Sequence, residues 1–293
     1  MIETFLTYLE AEKRCSRHTV LAYRNDLQQF ADFAASQNFP EDFSELRHTH
    51  VRSWILNLIE SGIQPRSVNR KIAGMRSFFR FLLRRGHVTV NPMTKVRPLK
   101  VKKSLPNFVP ENDMTKLLDH DGVFGDDFQG ARDRMIFELL YGTGIRLSEL
   151  INLKEDNIDL FTRSIKVLGK RNKERIIPFG TGLSETIKRY LVQKKALQGN
   201  SSPFFIVTNK GKQAYSVFVY RTVRKYLDMF TTIEKRSPHV LRHTFATHLV
   251  NNGAELNAVK DLLGHESLSA TQVYTHNTLG KLKEIFDRAH PKA

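Results

Sequence analysis

The 293-residue chain has a single cysteine, Cys15. That excludes a disulfide framework and a thiolate metal site, since both need several thiols. Long apolar runs are missing too. No stretch approaches the roughly 20 residues that a membrane-crossing helix needs. The opening residues, MIETFLTYLEAEKR, carry acidic side chains early and lack the apolar core of a signal peptide. A reducing cytoplasm is the expected location. Internal repeats and low-complexity segments are absent. Acidic residues are in short supply: 30 Asp and Glu face 46 Lys and Arg, for a formal net charge of +16. Such a surplus points to a polyanionic partner, most often nucleic acid. A ribosome-associated or membrane-surface protein would share this composition.

The chain is 40% hydrophobic, enough for buried cores, and its length suits two domains. Residues 1–90 read as helix after helix. Ile2, Phe5, Leu6 and Leu9 form one apolar stripe, and Val20, Tyr23, Leu27, Phe30 and Phe33 continue at helical spacing. A third helix is predicted over His48 to Glu60 and a fourth over Arg66 to Arg85. In the fourth, Val68, Ile72, Met75, Phe79 and Leu82 share one side. Arg66, Arg70, Arg80 and Arg84 share the other, with Lys71 beside Arg70. From Arg66 to Lys103 there are twelve basic residues and no acidic one. A solvated face is the ordinary reading of one basic stripe. A one-sign run this long repels itself unless an anion neutralises it, so Arg66, Arg70, Lys71, Arg80 and Arg84 are candidate contacts to a DNA backbone.

Residues 91–106 hold Pro92, Pro98 and Pro106 among basic side chains with no apolar period, which predicts an extended linker. A second domain is expected over 107–293. Its first helices, Pro110 to Leu118 and Gly130 to Leu140, lead to a break at Tyr141-Gly142-Thr143-Gly144. A new short helix then carries Arg146. Ile158, Ile165, Val167, Ile176 and Ile177, in short runs around Gly169 to Lys173, predict a small antiparallel sheet with a hairpin. Helices are predicted over Thr181 to Leu197, Tyr215 to Phe230 and Leu279 to Ala289, with a strand at Phe204 to Val207.

The richest stretch is SPHVLRHTFATHLVNNGAELNAVKDLLGHESLSATQVYTH, Ser237 to His276. Ser237 and Pro238 suit a helix start, and Gly253 an end. His239 and Arg242 lie three apart and share a helical face. A second helix, about Leu256 to Leu263, stops at Gly264 and leaves His265 just past its end. A third carries Tyr274. These four groups suit metal-free phosphoryl transfer. Arginine is a fixed fork for two phosphate oxygens, histidine moves a proton near neutral pH, and a tyrosine hydroxyl can be a covalent nucleophile. Taken singly, each is more often packing, a cap or a surface residue. His243 and His248 lie off this face and read as structural.

HVLRHTFATHL and LLGHESLSATQVYTH resemble the two C-terminal boxes of the tyrosine recombinases, and TGIRLSEL resembles their first box. LGKRNKERIIP is similar to the family's lysine-bearing hairpin, although Arg171 stands where the familiar form has glycine. The likeness spans nearly the whole chain and is nearest to the bacterial Xer type. It implies a mainly α fold with a small antiparallel β-sheet (α+β) in the catalytic domain, a small all-helical core-binding domain before it, and a C-shaped clamp on duplex DNA. It implies catalytic roles for Arg146, Lys170, His239, Arg242, His265 and Tyr274, with Lys173 as the rival to Lys170. Tyr274 would attack a scissile phosphate to give a 3′-phosphotyrosyl link. Arg146 and Arg242 would hold the non-bridging oxygens, and His265 would hydrogen-bond the phosphate. His239 would take the tyrosine proton, and Lys170 would protonate the leaving 5′ oxygen. The bond energy stays in the phosphotyrosine, so no cofactor and no metal are implied. The family's last helix docks into a neighbouring protomer. The implied partners are a double-stranded DNA recombination site and a homo- or hetero-tetramer on it. A second recombinase and a division-associated DNA translocase go with the Xer role in chromosome dimer resolution. An integrase or invertase of a mobile element, a relaxing topoisomerase and a non-catalytic DNA-binding protein remain open alternatives.

Overall fold

The computed structural model describes residues 1–101, 107–120, 122–169, 174–197, 202–264 and 276–292, apart from the side chains of 276–279 and 281–282. The chain divides into two compact units, Met1–Ser104 and Leu105–Ala293.

Helices α1 (Ile2–Ala11), α2 (Arg17–Ser36), α3 (His48–Glu60) and α4 (Pro65–Arg84) build the first unit. Ser16 starts α2 by accepting from Thr19 N–H at 3.3 Å, and Pro65 opens α4 at the first helical position, where its missing N–H costs nothing. The apolar stripes meet in one core. Phe5, Leu27, Phe30, Val51, Trp54, Val68, Ile72, Met75, Phe79 and Leu82 are all buried. Phe30 meets Trp54 edge to face at 5.2 Å, and Phe5 meets Phe78 at 5.4 Å. Each such ring contributes about 1.5–3 kcal/mol through burial.

The stretch expected to be an extended linker differs over its first half. Pro92–Lys95 is a 3-10 turn, with Met93 inside the helical core. Asn69 then ties down Leu99, accepting from its N–H at 2.7 Å and donating to its carbonyl at 2.9 Å. Arg76 donates to the carbonyl of Val96. Proline spacing does not reveal this anchoring, because its partners come from α4. Residues 102–106 lie outside the described residues.

The second unit is organised around α6 (Phe128–Thr143), preceded by α5 (Glu111–Asp119). Met135, Ile136, Phe137, Leu139, Leu140 and Tyr141 are buried, and past Ala131 only the stripe of Arg134, Glu138 and Gly142 stays partly exposed, as expected of a central helix with little amphipathicity. After α7 (Leu147–Ile151) come β1 (Ile158–Asp159), β2 (Ser164–Leu168) and β3 (Glu174–Pro178), antiparallel in the order β1-β2-β3. The register pairs Val167 with Arg175 and Leu168 with Glu174. The strand period of two sends Ile165, Val167, Arg175 and Ile177 to the inner face. Then follow α8 (Thr181–Lys195), α9 (Ser216–Phe230), α10 (Pro238–Asn251), α11 (Leu256–Leu263) and α12 (His276–Ala289). The strand expected at Phe204 to Val207 is reduced to isolated bridges, Lys154 to Phe204 and Val207 to Gln213. Ser237 begins α10, but its side chain makes no capping bond. Helix α12 is seated on its own unit through buried Phe286 and Ala289.

Candidate active site

Helix α6 ends at Gly144, which takes a left-handed conformation with φ +59. A Cβ there would lie 2.5 Å from the Phe245 ring, so glycine is required for both backbone and space. The turn buries Ile145 and delivers Arg146 to the N-terminus of α7. Arg146 is held at three points. Its backbone N–H donates to Glu149 Oε2 at 2.8 Å, Nη1 to Glu149 Oε1 at 2.9 Å, and Nη2 to the carbonyl of Gly264 at 2.8 Å. The side chain keeps 25% exposure. A guanidinium offers more N–H groups than these, so donors remain for an anion at its open edge.

Arg242 enters from α10 and is buried. Its Nη2 donates to the carbonyl of Leu263 at 2.6 Å and its Nη1 to that of Gly144. Both arginines therefore converge on the C-terminal end of α11, where unpaired carbonyls and the helix dipole favour cations. Burial, then the neighbouring charges of Arg146 and Arg175, push Arg242 down to about 9, which leaves it charged at neutral pH.

Two residues at this centre escaped the sequence reading. Glu149 is buried, and each of its oxygens takes one N–H from Arg146 and one from Arg175. Burial raises its proton affinity. The bonds and charge of Arg175, then the bonds of Arg146, outweigh that and hold it below the usual carboxylate range. Among the described residues, Arg175 Nε is buried without a partner. Both residues left a signal. Glu149 stands three after Arg146, where a carboxylate can reach back to the helix-start N–H. Arg175 falls in phase with Ile177 on the inner face of β3, where a charge needs a partner.

Of the six residues singled out for chemistry, Arg146 and Arg242 are brought together. His239 is exposed on α10, one turn before Arg242. Lys170, its rival Lys173, His265 and Tyr274 lie outside the described residues. His243 is exposed, while His248 is buried with Nδ1 2.9 Å from Tyr141 Oη.

In the first unit, Arg66 and Arg80 are exposed on α4. Arg70 and Lys71 are engaged by the buried carboxylate of Asp26, and Lys71 also donates to Gln29 Oε1 at 2.7 Å. Arg84 donates to Tyr8 Oη at 2.8 Å. Part of the basic run is thus neutralised by α2, which reading the run by itself could not reveal.

Two family models match the chain. The phage integrase family covers residues 107–280, and the phage integrase N-terminal SAM-like domain covers residues 2–86. The chain belongs to the phage integrase family. A tyrosine recombinase XerC of Chlorobaculum parvum is 39% identical, over 100% of this chain and 94% of its own length. One of Oceanobacillus iheyensis is 40% identical, over 100% of this chain and 96% of its own. The family fold recurs in solved structures. The XerH site-specific recombinase bound to a palindromic difH substrate, in a post-cleavage complex, superposes with TM-score 0.73 at 18% identity, over 97% of this chain and 83% of its own. A lambda integrase dimer bound to a core site does so with TM-score 0.68 at 16% identity, over 96% and 93%. These two likenesses concern the fold.

Proposed function

We propose that this family member is a site-specific tyrosine recombinase of the Xer type, cutting and rejoining duplex DNA in chromosome dimer resolution. One observation carries the chemistry: Arg146 and Arg242 donate to the successive carbonyls of Gly264 and Leu263, directly before His265 in the chain. Two guanidinium forks anchored side by side, each with donors to spare, suit the non-bridging oxygens of one phosphodiester. Tyr274 is the nucleophile in this reading. Its hydroxyl oxygen bonds to phosphorus as the bond to the 5′ oxygen breaks. His239 takes the phenolic proton, Lys170 returns one to the leaving oxygen, and His265 donates to the phosphate. The charge that builds on the phosphoryl oxygens is met by the fixed arginines. A 5′-hydroxyl from a partner strand then reverses the step through a Holliday junction. No cofactor enters this scheme.

The Xer assignment is supported by full-length relatives named tyrosine recombinase XerC. Its partners are a double-stranded recombination site, further recombinase protomers in a tetramer, and a DNA translocase associated with division. Site contacts from the helical unit fall to Arg66, Arg70, Arg80 and Arg84, while for Lys71, paired with Asp26, the salt dependence of binding decides. Among the described residues, no helix is long and apolar enough to cross a membrane. The test is to sequence genomic DNA covalently attached to the purified protein. A single enriched site near the replication terminus, with the adduct mapping to Tyr274, is expected. Adducts at the ends of a mobile element would replace the chromosomal role. A Tyr274→Phe protein that still forms adducts would remove Tyr274 as nucleophile.

A further inference from the structure

Arg175 touches both groups that anchor Arg146. Its Nη1 donates to Glu149 Oε1 and its Nη2 to Oε2 at 2.8 Å, opposite the two N–H groups that Arg146 gives the same oxygens. Its stem runs beneath Gly264, whose carbonyl takes Arg146 Nη2. A Cβ at Gly264 would come within 2.8 Å of Arg175 Cδ. The Arg175 side chain is 6% exposed, and both of its Nη atoms are turned to the Glu149 carboxylate.

We propose that Arg175 is a positioning residue for strand cleavage: gripping one side of the Glu149 carboxylate fixes the orientation in which the other side holds Arg146. This rests on the recombinase reading of the site. A carboxylate that takes the Arg175 fork on one side and the backbone N–H and Nη1 of Arg146 on the other has one geometry that satisfies all four N–H groups. Remove Arg175 and the carboxylate is free to turn toward Arg146, taking up donors meant for the phosphate. The support under the Gly264 carbonyl goes as well. Among the described residues, the charged groups acting on Glu149 are Arg146, Arg175 and Arg242. Losing Arg175 removes the strongest cationic influence on it and lets it protonate at higher pH.

The test compares Arg175→Met and Arg175→Lys with the wild-type chain. The probe is a nicked duplex carrying the site recovered from genomic adducts. Duplex affinity and the single-turnover rate of adduct formation are measured from mildly acid to mildly alkaline pH. R175M should bind the duplex like the wild type but form adduct about 10- to 100-fold more slowly, as when a partner that orients a functional ligand is removed. The acid limb of its rate profile should move to higher pH. R175K, which keeps a charge but not the fork, should recover part of the rate and bring the limb back toward wild type. If R175M does not fold, the limb of R175K, displaced in the same direction by less, carries the comparison. An unshifted limb in both variants, or a rate unchanged in folded R175M, overturns the proposal. Wild-type protein that forms no adduct overturns the recombinase reading instead, and this proposal with it.

Discussion

Arg242 and Arg146 grip consecutive carbonyls, with Nη2 of the first 2.6 Å from Leu263 O and Nη2 of the second 2.8 Å from Gly264 O. The end of α11 therefore sets the spacing of the two forks, and they differ in what else they hold. Arg146 keeps an exposed edge. Arg242 is buried and also satisfies Gly144. Replacing either by alanine should slow adduct formation by about 10²–10³, or roughly 2.7–4 kcal/mol, as for removal of an oxyanion-hole donor. Arg242→Ala should in addition lower the melting temperature, because two buried carbonyls lose a donor at about 1–3 kcal/mol each. Arg146→Ala should melt closer to the wild type. Single-turnover cleavage and thermal unfolding on the same preparations separate the effects.

Helix positions and core faces were legible because a 3.6-residue period needs no partner to be read. Val68, Ile72, Met75, Phe79 and Leu82 fell on one side of α4, and all five are buried. Arg146 and Arg242 were found through their boxes. What stayed hidden depends on pairings between distant segments. The Asn69 clasp on Leu99 reaches across 30 residues, the Asp26 ion pairs with Arg70 and Lys71 across 44 and 45, and the Arg175 bridge to Glu149 across 26. Each is a polar pair, and polar pairs carry no periodicity. Charge counting along a single helix could not show, for that reason, that Lys71 pairs with Asp26 on α2.

That pairing predicts two behaviours on α4. Arg66→Ala or Arg80→Ala should each flatten the log–log salt dependence of duplex binding by about 0.9 for every phosphate left without its cation, with little change in stability. Lys71→Ala should leave the salt slope nearly unchanged. It should destabilise the helical unit, because Asp26 is 3% exposed and loses a direct cation. Fluorescence anisotropy at several salt concentrations, beside urea unfolding, reads both. A Lys71→Ala slope as reduced as that of Arg66→Ala would return Lys71 to the DNA face.

Gly264 and Gly253 form a natural control pair. Both have positive φ, +62 and +88, so an alanine at either should cost about 1–2 kcal/mol of backbone strain. They differ in surroundings. A Cβ at Gly253 meets nothing within 4 Å, whereas one at Gly264 meets Arg175 Cδ at 2.8 Å. Gly253→Ala should therefore lose stability and keep its cleavage rate. Gly264→Ala should lose both, since it displaces Arg175 and the carbonyl that anchors Arg146. Equal cleavage rates in the two folded variants would show that the turn tolerates this shift.

The end of the chain should carry its own pH dependence. His290 is buried with its ring stacked on Phe286, centroids 4.8 Å apart. Its Nδ1 accepts from Lys292 N–H at 3.0 Å, so the proton sits on Nε2, 3.2 Å from the carbonyl of Tyr141. Burial pushes it down from an ordinary 6.5 to about 4, the Tyr141 carbonyl opposes that, and His248 and Lys292 add to it. A folded value below the unfolded one means that the unfolded chain takes the proton first. Stability is then whole above the unfolded value and falls as pH drops toward the folded one. The loss amounts to about 3 kcal/mol at most. His248, also held down by burial, adds a slope of the same sign. His290→Phe keeps a ring against Phe286 but cannot titrate. It should be less stable at neutral pH, because the Tyr141 carbonyl loses its donor, and its stability should fall less steeply toward acid. Urea midpoints for both proteins across that range decide the matter: converging curves are expected, and parallel ones would mean that His290 is protonated in the folded protein as readily as in the unfolded chain.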